Sequence, residues 1–428
     1  MSDIRDFVMS HPLFCHHDHH RSYSEFDGER QSYDFRSLLG YADADLVAAE
    51  GTRPPKGEMT RERIEKLWPK IRATGYGRAV TLGCRELFGL DYAPEAFDAV
   101  TAALQDSIRD RSAAEVYRYC VHERALNRWT LHDGCWTLET AAALHPELYP
   151  DTYRFTFRFD SLLSMVNAEP IGALESFNEQ PIHTLHEMVR GLNQAIDRFK
   201  AGGKLAAIKI GMAYERDLTV SDPTQHEAEL AFNRIRTRKA FWGGLQQNSG
   251  AVDAAAARAV GDFMFHQLVQ RARDEDLPVQ IHTGYLAGNW GSLAGSKALN
   301  LIPVFEKYRT VRFDVFHASW PWASELGAIG KNYPNVWLDM CWAWAMNPTE
   351  SARALSEWLD GVPFNKIFAY GADTRLPFCN VGYSLQAKLG IAMVLEEKIE
   401  RGFYDQRLAE EIASCIMLRN GEEFFRLG

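Results

Sequence analysis

Several things are missing from this chain, and each absence narrows what it does. No stretch of its 428 residues holds about 18 consecutive apolar side chains, so no membrane-spanning helix is expected. The opening MSDIRDFVMSHPLF lacks the basic and apolar blocks of a secretory signal. Cysteine is sparse. The seven are scattered, odd in number and never spaced CxxC, which argues against a disulfide framework or a zinc ribbon. There is no block of lysine and arginine, and 47 basic against 57 acidic residues leave a formal net charge of −10, unfavourable for a nucleic-acid partner. Neither GxGxxG nor GxxxxGK[ST] follows the first apolar run, and GxSxG is absent, so the usual phosphate-cradling turns and the serine-hydrolase elbow are excluded. The expectation is a soluble cytoplasmic protein that acts on a small molecule, without nucleic acid or membrane as partner, and with self-association into a homo-oligomer left open.

What the chain does have is 46% hydrophobic residues, enough for a large core, and a recurring pattern of short apolar runs followed by longer amphipathic stretches. The runs are LFCHHDH (13–19), RAVTLG (78–83), RFTFRF (154–159), LAAIKIGM (205–212), PVQIHT (278–283), VRFDVFH (311–317), NVWLDM (335–340) and KIFAYGAD (366–373). Between them, segments such as PIHTLHEMVRGLNQAIDRFKAG (181–202), AVGDFMFHQLVQRARDED (259–276) and NLIPVFEKY (300–308) read as helices. Alternating strand and helix implies right-handed crossovers and a parallel sheet, and eight such units predict one (β/α)8 barrel over residues 1–428. Segments 21–75 and 85–150 exceed ordinary loops and are expected to be helical insertions or a cap after strands one and two, with TRERIEKLWPKIRATG (60–75) as one helix. The NSG before an alanine-rich helix start, within 249–263, marks a flexible join.

In a barrel, reactive side chains gather at the C-terminal ends of the strands. His17 and His19 close the first run, Lys209 lies in the fourth, His282 in the fifth, His317 ends the sixth and Asp373 the eighth. Residues i and i+2 of a strand share a face, so His17 and His19 are expected to point inward together, with Asp18 facing away. His16 and His20 have the opposite parity and are expected to face the helix layer or the strand end. Two imidazoles on one strand, a third nitrogen from His282 and a carboxylate from Asp373 make a shell suited to zinc, with manganese or iron as alternatives. Singly, each residue has an ordinary reading: His282 as a packed core histidine, Asp373 as a helix N-cap, Lys209 as a buried lysine paired with a carboxylate.

The ordered set resembles the amidohydrolase superfamily, in particular its amidohydrolase-related branch bordering on the uronate isomerases. "CHHDHH" resembles that branch's opening motif, "LPVQIHTG" its strand-five motif, "FAYGADTRLP" its strand-eight motif and "IMLRNGEEFFRL" its closing helix. The resemblance implies that His17, His19, His282 and Asp373 bind a first metal ion. It also implies that Lys209 matches the lysine some members carboxylate to bridge two ions, and that His317 matches the second-metal histidine. One or two divalent ions are therefore expected. Cys15 departs from the pattern where relatives often carry aspartate.

The chemistry expected of such a set is metal-dependent hydrolysis of an amide, lactone or ester in a small acidic or hydroxylated molecule, with Asp373 taking the proton of the attacking water. Arg158 in "FRFD" is placed to grip a carboxylate or phosphate, with simple pairing to Asp160 as the alternative. Tyr214, Trp320, Trp342 and Arg375 follow strands four, six, seven and eight and are expected to line the pocket. The rivals are a uronate isomerase, a non-oxidative decarboxylase on the same barrel, and a barrel kept only for binding.

Overall fold

The computed structural model describes residues 3–51, 59–134, 137–242 and 253–427. Eight parallel strands follow one another around a sheet in chain order: β1 (Leu13–Asp18), β2 (Asn127–His132), β3 (Tyr153–Arg158), β4 (Leu205–Ile210), β5 (Val279–Ile281), β6 (Phe313–Val315), β7 (Val336–Asp339) and β8 (Ile367–Phe368). The chain continuing from β8 closes the circle onto β1: His16 N–H donates to Tyr370 O, Asp373 N–H to His17 O and His19 N–H to Thr374 O. The protein is an α/β barrel of the TIM type. Among the described residues, no helix is long and apolar enough to cross a membrane.

Seven of the eight expected strands fall where the apolar runs lie, and one does not. RAVTLG is helical, inside the helix Gly75–Phe88, which Thr74 caps by accepting the Gly77 N–H. Its buried residues Tyr76, Ala79, Val80, Gly83 and Cys84 recur every three or four positions, which is a helix stripe rather than a strand alternation. The true second strand is NRWTLH, Asn127–His132, whose Arg128 is exposed and whose last three residues are buried. Among the described residues, the excursion after β1 (19–51 and 59–126) accordingly holds helices and no strand, rather than two insertions separated by a strand. TRERIEKLWPKIRATG forms the helix Arg61–Ile71 behind its Thr60 cap. The NSG join lies outside the described residues; the helix after it runs Ala254–Asp274, capped by Asp253.

The insertion packs against the longest helix, Pro377–Glu400, which follows β8. The approach is so close that a Cβ on Gly382 would sit 2.0 Å from Ala79 O, so only glycine permits this crossing. Inside the barrel, Phe14, Leu131, Ala207 and Phe368 meet Phe424 and Phe425 of the terminal helix Asn420–Phe425, forming an apolar plug at one end. Above that plug the interior becomes polar.

Candidate metal centre

The pairing of β1 with β2 shifts register between Cys15 and Asp18, and the shift decides where the histidine tract points. His17 and His19 lie together at the strand end, Nε2 to Nε2 3.1 Å. Asp18 turns outward, taking the Thr374 N–H at 2.6 Å and Asn380 Nδ2 at 2.5 Å. His20 also faces outward, between Tyr153 Oη at 2.5 Å and the Asp18 carboxylate at 3.3 Å. His16 was expected on that outer side as well. Instead its ring stacks on Phe368 and its Nδ1 lies 3.6 Å from Asp339 Oδ2 inside the barrel, because the irregular backbone breaks the simple alternation of faces.

Tautomers follow from the backbone. A carbonyl only accepts, so the ring nitrogen facing one must carry the proton. His19 Nδ1 donates to Asp133 O at 2.5 Å, His282 Nε2 to Tyr285 O at 2.8 Å and His317 Nδ1 to Cys341 O at 2.9 Å. In the neutral rings, the lone pairs of the opposite nitrogens then converge. His282 Nδ1 and His317 Nε2 face each other at 2.9 Å, His19 Nε2 lies 3.0 Å from Asp373 Oδ1, and His317 Nε2 is 3.9 Å from Asp373 Oδ2. His17 Nε2 completes the group at 3.9 Å from Asp373 Oδ1 and 3.8 Å from Asp133 Oδ2. Lone pairs and carboxylates facing one another repel unless a cation lies among them, so this donor set fits a divalent metal.

Burial pulls the His17 and His282 rings well below their ordinary pKa and His317 to about 4, favouring the neutral, ligating form. His19 is raised, because Asp373 and Asp133 outweigh its burial. Burial alone would raise Asp373, but His19, His317 and Lys209 hold it below the usual carboxylate range. Three residues around the centre, His317, Trp342 and Asp373, have φ of 64°, 63° and 56°. Left-handed backbone costs a non-glycine residue about 1–3 kcal/mol. It is held here by bonds such as Trp342 N–H to Gly371 O and Asp373 N–H to His17 O.

Three residues join the centre that sequence reasoning passed over. Asp133 follows β2 and was hidden with that strand; the motif "TLHDG" was its only signal. Cys341 follows β7, and its sulfur lies within 4.8 Å of the donor atoms of His317 and Asp373. Tyr41, from the insertion, donates its hydroxyl to Asp373 Oδ1 at 3.1 Å, a long-range contact no local pattern reveals.

The remaining candidates are spread around these groups. Lys209 is buried with its Nζ lacking a hydrogen-bond partner and 3.5 Å from the Phe316 ring centroid. Arg158 is held on both sides, by Asp133 Oδ2 at 2.8 Å and Asp160 Oδ2 at 2.5 Å, so its guanidinium orients Asp133 rather than standing free for a ligand. Gly211 makes room for that fork, since a Cβ there would fall 2.1 Å from Arg158 Nη2. The Tyr214 ring packs 4.7 Å from His282 and Trp342 5.3 Å from His317, while Trp320 packs on Tyr285 one layer further out. Arg375 is exposed and forms no ion pair among the described residues. It lines two clefts, one of about 620 Å³ with Arg21, Arg36 and Tyr41, the other of about 460 Å³ with His19, His132 and Tyr149.

The Amidohydrolase family model matches residues 216–427, the stretch that contributes His282, His317 and Asp373. Protein fluG of Emericella nidulans is 22% identical over 229 residues, which is 52% of this chain and 26% of that protein, so the chain spans about a quarter of the curated relative it matches. Among solved structures, the uronate isomerase of Thermotoga maritima superposes with a TM-score of 0.77 at 14% identity, covering 99% of this chain and 96% of that one. Glucuronate isomerase from Caulobacter crescentus gives 0.75 at 14% identity, over 99% and 93%. A putative metal-dependent hydrolase from Lactobacillus casei gives 0.65 at 14% identity, over 100% and 98%. At such identities the structural likeness concerns the fold.

Proposed function

We propose that this chain is a member of the amidohydrolase superfamily, on its border with the uronate isomerases, and that it is a metal-dependent hydrolase of a small acidic or hydroxylated molecule. The observation that carries the reading is the convergence of imidazole lone pairs from His19, His282 and His317 on the Asp373 carboxylate, with His17 beside them. His17, His19, His282, His317 and Asp373 would hold the ion, zinc first and manganese or iron as alternatives, with Asp133 and Cys341 within reach. When bound, a divalent ion lowers the pKa of water towards neutrality and polarises a carbonyl oxygen.

The protein's own groups do the rest. Tyr41 donates its hydroxyl to Asp373 Oδ1, leaving Oδ2 to take the proton of the attacking water and return it to the leaving group. Arg158 keeps Asp133 ionised and aimed at His17. Tyr41 and the buried Trp342, packed on each other, cover the centre, and Arg375, at the junction of the two clefts, grips the substrate carboxylate.

One observation favours a second reading, isomerisation of a sugar acid. Lys209 lies against the Phe316 ring rather than among the ligand atoms, which favours an uncarboxylated lysine and a single ion. Incubating the metal-loaded protein with acidic lactones, amides and esters, and separately with hexuronates, tells the readings apart. Hydrolysis incorporates one 18O atom from labelled water into a carboxylate product. Isomerisation leaves composition unchanged and incorporates no 18O into a newly formed carboxylate. Turnover of hexuronates alone would replace the hydrolase reading with the isomerase one.

A further inference from the structure

One layer below the centre, between it and the aromatic plug, the barrel interior holds His16 from β1, Gln280 from β5, Asp314 from β6 and Asp339 from β7. All four are no more than 1% exposed. Gln280 Nε2 donates to His16 O at 3.2 Å and to Asp314 Oδ2 at 3.0 Å. That leaves four side-chain atoms without a hydrogen-bond partner: His16 Nδ1, Asp314 Oδ1, Asp339 Oδ2 and Gln280 Oε1. Donor atoms of His16, Asp314 and Asp339 all lie within 4.8 Å of one another.

Two carboxylates sealed from water are costly unless cations or hydrogen bonds compensate them. The charge of Lys209 acts on both, and its Nζ is bonded to neither. The spacing suits a cation. Ligands about 2.1 Å from a tetrahedral ion stand about 3.4 Å apart, and His16 Nδ1 is 3.6 Å from Asp339 Oδ2.

We propose that His16, Asp314 and Asp339, with the Gln280 carbonyl as fourth donor, form an interior cation site separate from the catalytic centre, which takes a divalent ion of the class preferring nitrogen and oxygen ligands, manganese or zinc. The ion enters while the barrel assembles and is trapped once the strands close. It ties β1, β6 and β7 together beneath the reactive layer and leaves the catalytic ligands free to exchange theirs with solvent.

The test uses the full-length protein produced in Mn2+-supplemented medium and dialysed exhaustively against a chelator. Wild type is expected to keep about one manganese per chain, the double variant His17→Ala/His19→Ala to keep it also, and Asp314→Asn and Asp339→Asn to lose it. Loss of all manganese from wild type, or retention unchanged in both aspartate variants, overturns the proposal in favour of a proton shared between the carboxylates. The catalytic reading stands or falls separately, on the exchangeable fraction that the His17/His19 variant removes. Because an interior Asp→Asn change can prevent folding, wild-type crystals give a second readout. Anomalous scattering at the manganese edge is expected to show a peak in contact with His16 Nδ1, and its absence also overturns the site.

Discussion

Arg375 is the residue whose role is most exposed to test. Its guanidinium stands in solvent at the meeting of two clefts, two positions after Asp373, in no ion pair with the described residues. A charge-assisted bond to a substrate carboxylate is worth about 1.5–3 kcal/mol, so Arg375→Ala should raise KM by about 10- to 100-fold with kcat little changed. Arg375→Lys should recover part of the loss. Steady-state kinetics on an acidic substrate and on its uncharged amide decide the matter, because an equal effect on both would show that no carboxylate is held there. At this scale much of the centre was legible in the sequence. His17, His19, His282, His317 and Asp373 sit at strand ends, and strand ends can be read from short apolar runs. Arg158 was legible as a cation but not as one already held by Asp133 and Asp160, since the first of these follows a strand whose polar sequence concealed it.

Among the elements, the helix Pro377–Glu400 organises the most structure. Gly382 lets it touch the backbone of the helix Gly75–Phe88, so Gly382→Ala must push the two apart and should cost about 1–3 kcal/mol. Gly28, inside the helix Tyr23–Glu29 with open space around it, is the control. Alanine there should stabilise by about 0.5–1 kcal/mol through helix propensity alone. Urea midpoints moving the same way for both would refute the close-contact account. The same long helix carries Lys388, whose Nζ donates to Met9 O at 3.0 Å and His11 O at 2.8 Å, capping the end of the helix Asp3–Ser10. Burial draws this amine down to about 7 from 10.5. Between those values the unfolded chain binds the extra proton, so wild-type stability gains with rising pH, and the burial penalty is fully present only below about 7. Relative to Lys388→Met, wild type should therefore grow more stable from pH 7 to 9, and parallel midpoints across that range would show the amine stays charged. The insertion was legible as helical but not as one piece. RAVTLG has the β-branched content of a strand over six residues, and only the longer window, with Thr74 as cap and buried residues at helical spacing, identifies the helix.

For the whole molecule, the barrel was readable because seven runs of strand character alternate with helices, and handedness rules leave few other ways to arrange them. The polar layer within it was not. His16, Gln280, Asp314 and Asp339 come from four strands up to 323 positions apart, and nothing in the sequence near any one of them announces the others. On the proposed reading, ion binding stabilises the whole arrangement, since the donors of the upper centre reach it from β1, β5, β6 and the end of β8 and have no common site in the unfolded chain. An ion that binds only the folded form adds about 2.7 kcal/mol at a hundredfold excess over its Kd. Titrating Zn2+ into chelator-treated protein should thus raise Tm by several degrees, with the midpoint climbing logarithmically in free metal rather than saturating at one equivalent. His17→Ala/His19→Ala should abolish that concentration-dependent climb. A Tm indifferent to zinc in wild type, or an equal climb in the double variant, would show that the converging imidazoles are not where the exchangeable ion binds.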